Sequence, residues 1–217
     1  LTGNGGEALR GVSVSASRDG GEVAFVTYTG RKTDRYGMPT AVERLEVLDR
    51  ASGQVTELGH GRAYFDVNAR SFDKPLISPR GQAIIYWRAG SDVGTSYTVV
   101  GVDGSVLMAE LDATMPAGYA WDPAGTKVVF TGRPASSSGD GAPVTFWVFD
   151  TAAGGGARVL AEYQDVSVQD LSWSPDGSTI AWAAYDAKSD WRTGSVRLMP
   201  ADGGHSATLA EQALSPV

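Results

Sequence analysis

The sequence predicts an all-β fold, a β-propeller built from four-stranded antiparallel sheets. One observation is a glycine-containing turn motif that occurs four times along the 217 residues. Another is that each motif is followed by apolar residues two positions apart, which lie on one face of a strand. A third is that Gly, Pro, Asp and Ser interrupt nearly every window long enough for a helix. The four motifs read SASRDGGEVAFV, LISPRGQAIIYW, YAWDPAGTKVVF and LSWSPDGSTIAW.

One glycine in each motif sets the register of the repeat. An aromatic residue follows this glycine by five positions, and an apolar residue stands two positions before the aromatic. Successive glycines are 61, 44 and 52 positions apart, which brackets the roughly 40 to 50 residues of a propeller blade. The glycines are Gly20, Gly81, Gly125 and Gly177, the aromatics Phe25, Tyr86, Phe130 and Trp182, and the apolar residues Val23, Ile84, Val128 and Ile180.

The segments after each motif complete a four-stranded meander. A second apolar segment ends in a turn and leads into a short final strand, which is the organisation of a propeller blade. The sequence therefore predicts a single propeller domain, or a fragment of one, over residues 1–217. Its predicted blades cover approximately 12–59, 74–111, 118–163 and 168–212. A β-sandwich also has a strand in every roughly 8 to 12 residues, but it gives no reason for the same turn to recur.

The Pro-Asp-Gly turn at 175–177 contains a carboxylate that could serve chemistry or folding. Pro fixes φ, Asp bonds to the nearby backbone, and Gly accepts a positive φ. Asp19 and Asp176 occupy the turn in two motifs, whereas Arg80 and Ala124 stand at that position in the others. Because the motif persists without a carboxylate, we expect a structural role for the aspartates.

The residues WSPDG, followed by an apolar strand and then by LMPADGG and ATL, resemble the WD-repeat-like propeller repeats of the TolB type. The resemblance is close over 168–212, good over 118–163 and loose over 12–110. It implies either an extracytoplasmic binding protein, whether periplasmic, secreted or surface-anchored, or the propeller domain of a prolyl-oligopeptidase-like enzyme. A repeat resemblance of this kind implies the fold better than the function.

Propellers of that family usually close a ring of more than four blades, and the chain departs from this pattern. The opening LT resembles the tail of a preceding blade, and the closing ALSPV resembles the start of another. This predicts a piece of a longer propeller. The alternative is a compact ring of four or five blades, with LTGNGGEALRG supplying a closing strand.

The charge and composition exclude several classes of function. The chain has 18 basic and 25 acidic residues, a net charge of -7, which disfavours a surface for nucleic acid. It has no cysteine, so disulfides, thiolate metal sites and cysteine nucleophiles are excluded. No apolar run approaches the roughly 20 residues of a transmembrane helix, so no membrane span is predicted.

Long, varied segments are predicted at the end of the blades opposite the short turns. They cover 30–42, 60–73, 88–95, 112–117, 132–143, 164–167 and 185–194, and they carry nine basic and nine acidic residues. Mixed charge with interspersed aromatics is typical of a surface that binds a protein or peptide, although a merely solvated loop face has the same composition. The predicted binding residues are Arg31, Arg35, Tyr36, Arg62, Tyr64, Arg88, Arg133, Tyr185, Asp186, Trp191 and Arg192.

Catalytic signals are sparse. The only histidines are His60 and His205, and no serine lies in a GxSxG elbow. The sequence therefore predicts a non-enzymatic protein with no catalytic residue, metal or cofactor. The alternative is the substrate-gating propeller of a prolyl-oligopeptidase-like serine hydrolase whose catalytic domain is absent from these residues. A lower alternative is a glycosidase-like propeller enzyme, although no carboxylate pair stands out.

Overall fold

A computed structural model describes residues 13–33, 37, 39–64, 70–90, 94–135, 142–186 and 193–213 of the chain. Over these ranges the chain forms fifteen strands and no helix. Every strand pair among them is antiparallel. The all-β prediction is confirmed.

The strands follow one another as meanders, with each strand paired to its neighbours in sequence. Sheet 1 contains β1 (Val14–Ala16), β2 (Glu22–Thr33), β3 (Pro39–Asp49) and β4 (Val55–Tyr64). The next seven strands form sheets 2 and 3, which are divided within β8. They are β5 (Arg70–Ile77), β6 (Ala83–Gly90), β7 (Gly94–Gly101), β8 (Val106–Trp121), β9 (Lys127–Pro134), β10 (Val144–Asp150) and β11 (Arg158–Tyr163). Sheet 4 contains β12 (Val166–Trp173), β13 (Thr179–Asp186), β14 (Thr193–Pro200) and β15 (Ala207–Ala213).

Strand β8 belongs to two meanders at once. Its first part pairs with β7 as far as Asp112, and its second part pairs with β9 from Ala113 onward. We call β5 to β7 with the first part of β8 sheet 2, and the second part with β9 to β11 sheet 3. Residues 112–117, which the sequence analysis placed among the long connecting segments, are thus part of a strand. The chain passes from one meander into the next without leaving the extended conformation.

The repeated apolar residues after each turn glycine share one face, as the sequence predicts. Ile84 and Tyr86 pack against sheet 1 in a cluster with Ala24, Val26 and Leu45. The equivalent residues of sheet 3 pack against sheet 2, and those of sheet 4 pack against sheet 3. Each contact between successive sheets is therefore filled by the same two repeat positions.

Aromatic rings anchor the later two of these contacts. The Phe130 ring lies 4.8 Å from the ring of Tyr97 in sheet 2, and the Trp182 ring lies 5.1 Å from that of Phe146 in sheet 3. Burial of a large apolar side chain contributes about 1.5–3 kcal/mol, so these residues stabilise the stacking of the sheets. Trp182 is only 2% exposed.

Candidate functional site

The four repeat turns have one backbone geometry. Their glycines have φ between 68° and 72°, and each glycine N–H donates to the carbonyl three residues earlier at 2.8 or 2.9 Å. A positive φ is readily adopted only by glycine, which explains why this residue sets the repeat register. The turns join the first and second strands of each meander and therefore lie at one end of the molecule.

A side-chain acceptor in each turn was missed by the sequence analysis. The residue three positions before each glycine accepts backbone N–H groups from the start of the next strand. Asp122 Oδ1 accepts from Thr126 and Lys127 at 2.7 and 2.8 Å, and Ser174 Oγ accepts from Thr179 at 2.9 Å. Ser17 and Ser78 act in the same way. The available signal was that all four positions carry Ser or Asp, residues whose side chains bond to nearby backbone.

The turn aspartates are held by their own turns. Asp176 accepts hydrogen bonds from Ser174 Oγ at 2.6 Å, from the Ser178 N–H at 2.9 Å and from Ser178 Oγ at 2.8 Å. These donors favour the charged form and lower the pKa of Asp176 to about 2. Asp19 accepts from Ser17 Oγ and the Gly21 N–H, which also lowers its pKa. Carboxylates in this state form turns and are poor proton acceptors at neutral pH.

A groove of about 580 Å³ opens beside these turns. The first strand of each meander contributes to it: β1, β5, the second part of β8, and β12. Its walls are mainly apolar and aromatic, with one basic and one acidic side chain. The lining residues are Ala16, Arg18, Leu76, Ile77, Pro79, Tyr119, Ala120, Trp121, Asp122, Pro123, Leu171, Ser172, Trp173 and Pro175.

Hydrogen bonds between neighbouring first strands fix the walls of the groove. The indole N–H of Trp173 donates to the Ala120 carbonyl, and the indole N–H of Trp121 donates to the Leu76 carbonyl, both at 3.0 Å. Between sheets 1 and 2, the Ile77 N–H donates to Ser15 Oγ at 3.2 Å. Trp121, Trp173 and Ile77 hold one repeat position, four residues before the turn glycine. The groove is therefore built on a repeated contact between sheets.

The structure describes seven of the eleven predicted binding residues. They lie in strands rather than loops, because the strands extend further than the sequence indicates; β2 and β3 stay paired up to Thr33 and Pro39. The seven are Arg31, Arg62, Tyr64, Arg88, Arg133, Tyr185 and Asp186. The side chains of Arg88, Arg133 and Tyr185 are partly buried, and none of the three lines the groove. Arg35, Tyr36, Trp191 and Arg192 lie outside the described residues.

The two histidines lie away from the groove. His60 is exposed on β4, where its Nδ1 lies 3.3 Å from Oε1 of Glu57, a residue that also pairs with Arg44 at 3.5 Å. His205 is exposed between β14 and β15. Over the ranges that the structure describes, no group of three or more His, Cys, Asp or Glu side chains could hold a metal ion. The same ranges contain no helix long and apolar enough to cross a membrane.

The stacked four-stranded meanders define the chain as a protein of β-propeller fold, and solved structures match it. TolB from Acinetobacter baumannii matches with a TM-score of 0.56 and 15% identity over 94% of this chain and 44% of that chain. The β-propeller domain of the Trilobed protease from Pyrococcus furiosus matches with a TM-score of 0.58 and 16% identity over 92% and 57%. A prolyl endopeptidase structure matches with a TM-score of 0.66 and 16% identity over 93% and 30%.

These identities support a TolB-type propeller fold and nothing finer. The chain spans between about a third and somewhat more than half of the length of these three proteins. No protein-family model and no curated protein sequence matches it.

Proposed function

We propose that the chain is a non-enzymatic propeller that binds a protein or peptide partner, and that an extended segment of this partner occupies the groove. The observation that carries the proposal is the groove itself, whose apolar and aromatic walls come from all four meanders. Its volume of about 580 Å³ lies within the range of roughly 300–1,000 Å³ found for ligand sites. Several side chains of a peptide fit in such a space.

The composition of the walls supports binding more than catalysis. The charged residues that line the groove are Arg18 and Asp122, and Asp122 Oδ1 is occupied by two backbone N–H groups. A catalytic site needs a nucleophile or a general base within reach of a second functional group. The groove instead offers the partly exposed indole ring of Trp173, and an aromatic ring of this kind binds partners strongly because it buries a large surface at low entropic cost.

The experiment is a selection of random twelve-residue peptides displayed on phage against the 217-residue chain, followed by affinity measurements with synthetic peptides. Ser172 is exposed and lines the groove, so Ser172→Trp fills part of its volume. Gln169 is exposed on the same strand and does not line the groove, so Gln169→Trp is the matched control. We expect the selected peptides to lose binding to the Ser172 variant and to keep it with the Gln169 variant.

Two results would contradict the proposal. One is the absence of any peptide enriched above the background of an unrelated protein. The other is equal binding by the two variants, which would place the peptides outside the groove. Circular dichroism of both variants checks that the fold is intact.

The second candidate is the substrate-gating propeller of a prolyl-oligopeptidase-like serine hydrolase. A groove open to peptides and the fold similarity to a prolyl endopeptidase support it. It requires a segment with a GxSxG elbow encoded beside this chain, and that segment would cleave the peptides that the groove binds. A glycosidase-like activity is a third candidate, ranked below these two. Its test is a screen against glycosides, in which turnover that is abolished by substitution of one carboxylate would support it.

We also propose an extracytoplasmic location, periplasmic, secreted or surface-anchored. The support is the TolB-type repeat resemblance together with the TolB-type fold. Fractionation of the native cells with an antibody against the chain tests this proposal. Recovery of the protein with cytoplasmic markers would contradict it.

A further inference from the structure

Four equivalent positions lie at the rim of the groove, each two residues before a turn glycine. Three of them are prolines, Pro79, Pro123 and Pro175, and the fourth is Arg18. All four line the groove. The first repeat therefore places a guanidinium where the other repeats place an apolar ring.

The geometry of the turn does not explain this arginine. Proline suits the position because its ring fixes φ at a value that the turn requires. The first turn nevertheless has the same form, with φ of 68° at Gly20 and a 2.9 Å bond from the Gly20 N–H to the Ser17 carbonyl. Arg18 adds one backbone contact, from its N–H to the Pro79 carbonyl at 3.0 Å. Any residue other than proline could make that contact, so the guanidinium itself has no part in the turn.

The guanidinium is exposed and available. Among the described residues, no carboxylate lies within ion-pair distance of Arg18. Three acids of these turns hold other partners: Asp19 and Asp176 accept hydrogen bonds within their own turns, and Asp122 accepts two backbone N–H groups. An exposed guanidinium has five donors in a planar fork that matches a carboxylate.

We propose that the groove recognises a peptide segment that combines a carboxylate with a neighbouring bulky apolar side chain. The carboxylate, from Asp, Glu or a free C-terminus, pairs with Arg18, and the apolar side chain packs on the partly exposed ring of Trp173. This inference rests on the proposed peptide-binding function and specifies its ligand. A pair between a guanidinium and a carboxylate adds geometric selectivity, and the indole ring of Trp173 adds buried apolar area.

The test uses synthetic hexapeptides in matched pairs, with Glu against Gln and a free C-terminus against an amide, in a fluorescence polarisation assay. The variants are Arg18→Gln and Arg18→Lys. Arg80→Gln is the control, because Arg80 is an exposed arginine in the second turn that does not line the groove. We expect Arg18→Gln to weaken binding of acidic peptides at least about tenfold and to leave their neutral counterparts unchanged. Arg18→Lys keeps part of the affinity, and Arg80→Gln matches the wild type.

The experiment distinguishes a failure of the carboxylate inference from a failure of the proposed peptide-binding function. Peptides that bind in the groove with no preference for a carboxylate, or equally well to Arg18→Gln, would overturn the inference and leave peptide binding intact. If no peptide binds at all, the proposed function fails with it. If an acidic oligosaccharide such as oligogalacturonate binds in an Arg18-dependent way and peptides do not, the ligand class proposed here is wrong.

Discussion

The indole N–H of Trp173 donates to the carbonyl of Ala120 at 3.0 Å, and this bond joins the first strand of sheet 4 to the first strand of sheet 3. Trp121 makes the equivalent bond to Leu76 one sheet earlier. Both bonds cross between the first strands of successive sheets. They hold the walls of the groove at a fixed spacing.

Trp173→Phe tests the contribution of this bond to stability. The substitution keeps an aromatic ring but leaves the Ala120 carbonyl without its indole donor. Trp87→Phe is a suitable control, since Trp87 is also partly buried and its indole N–H has no hydrogen-bond partner among the described residues. We expect the Trp173 variant to lose about 1 kcal/mol more free energy of unfolding than the Trp87 variant, measured by urea denaturation. Equal losses would show that ring volume alone matters at Trp173.

Asp176 is expected to make stability depend on pH in the acid range. Its pKa is about 2 in the folded protein against an ordinary value of 3.8, so its contribution is complete above pH 3.8 and disappears as the pH falls through about 2. Asp176→Asn removes this contribution. The difference in Tm between wild type and variant should therefore shrink as the pH is lowered from 4 toward 2. A difference that stays constant over that interval would indicate that the carboxylate charge has no role in the turn.

Two glycines with positive φ differ in the space around them. Gly203 and Gly104 lie in equivalent turns before the last strands of their meanders, with φ of 101° and 84°. A methyl group on Gly203 would lie 2.5 Å from the Leu160 carbonyl oxygen, whereas one on Gly104 would meet nothing within 4 Å. We expect Gly104→Ala to cost about 1 kcal/mol from backbone strain. Gly203→Ala should cost about 2 kcal/mol or more, because the clash adds to the strain. Equal free energies of unfolding for the two variants would rule out the close contact.

Val129 and Ala181 hold the same repeat position, four residues after the turn glycine, in sheets 3 and 4. Val129 is 0% exposed and packs in the cluster between the two sheets, whereas Ala181 is partly exposed on the outer face of sheet 4. Val129→Asp should lower the free energy of unfolding by about 3 kcal/mol or more, since it buries an unpaired charge. Ala181→Asp should be tolerated by the isolated chain. Unfolding of the Ala181 variant would show that the side chain at position 181 is buried within the folded chain, contrary to its partial exposure.

The repeat and its strands were predictable because they depend on local chemistry. Glycine is needed for the positive φ, and the residues three and five positions later must fill the space between sheets, so both leave a regular pattern in the sequence. Strand ends were less predictable: β8 continues through 112–117 because backbone pairing on both sides extends it, and no side-chain pattern records that pairing.

The groove was harder to predict than the fold. Trp121 and Trp173 lie one full repeat, 52 residues, apart in sequence, and their placement along one groove depends on how successive sheets are stacked. Arg18 was visible as a departure from proline, but only the structure places that position at the rim of a groove. The residues predicted to bind a partner came instead from the long connections, of which the structure describes a part.

Strand β8 couples the opening of sheet 2 to the opening of sheet 3. Its backbone is hydrogen-bonded to β7 along its first part and to β9 along its second, so sheet 2 cannot open fully without disturbing the edge of sheet 3. Over the ranges that the structure describes, sheets 1 and 4 share no such strand with their neighbours. In native-state hydrogen exchange, amides of β6, β7, β9 and β10 should therefore exchange with one common opening free energy, while the two outer sheets exchange earlier and independently.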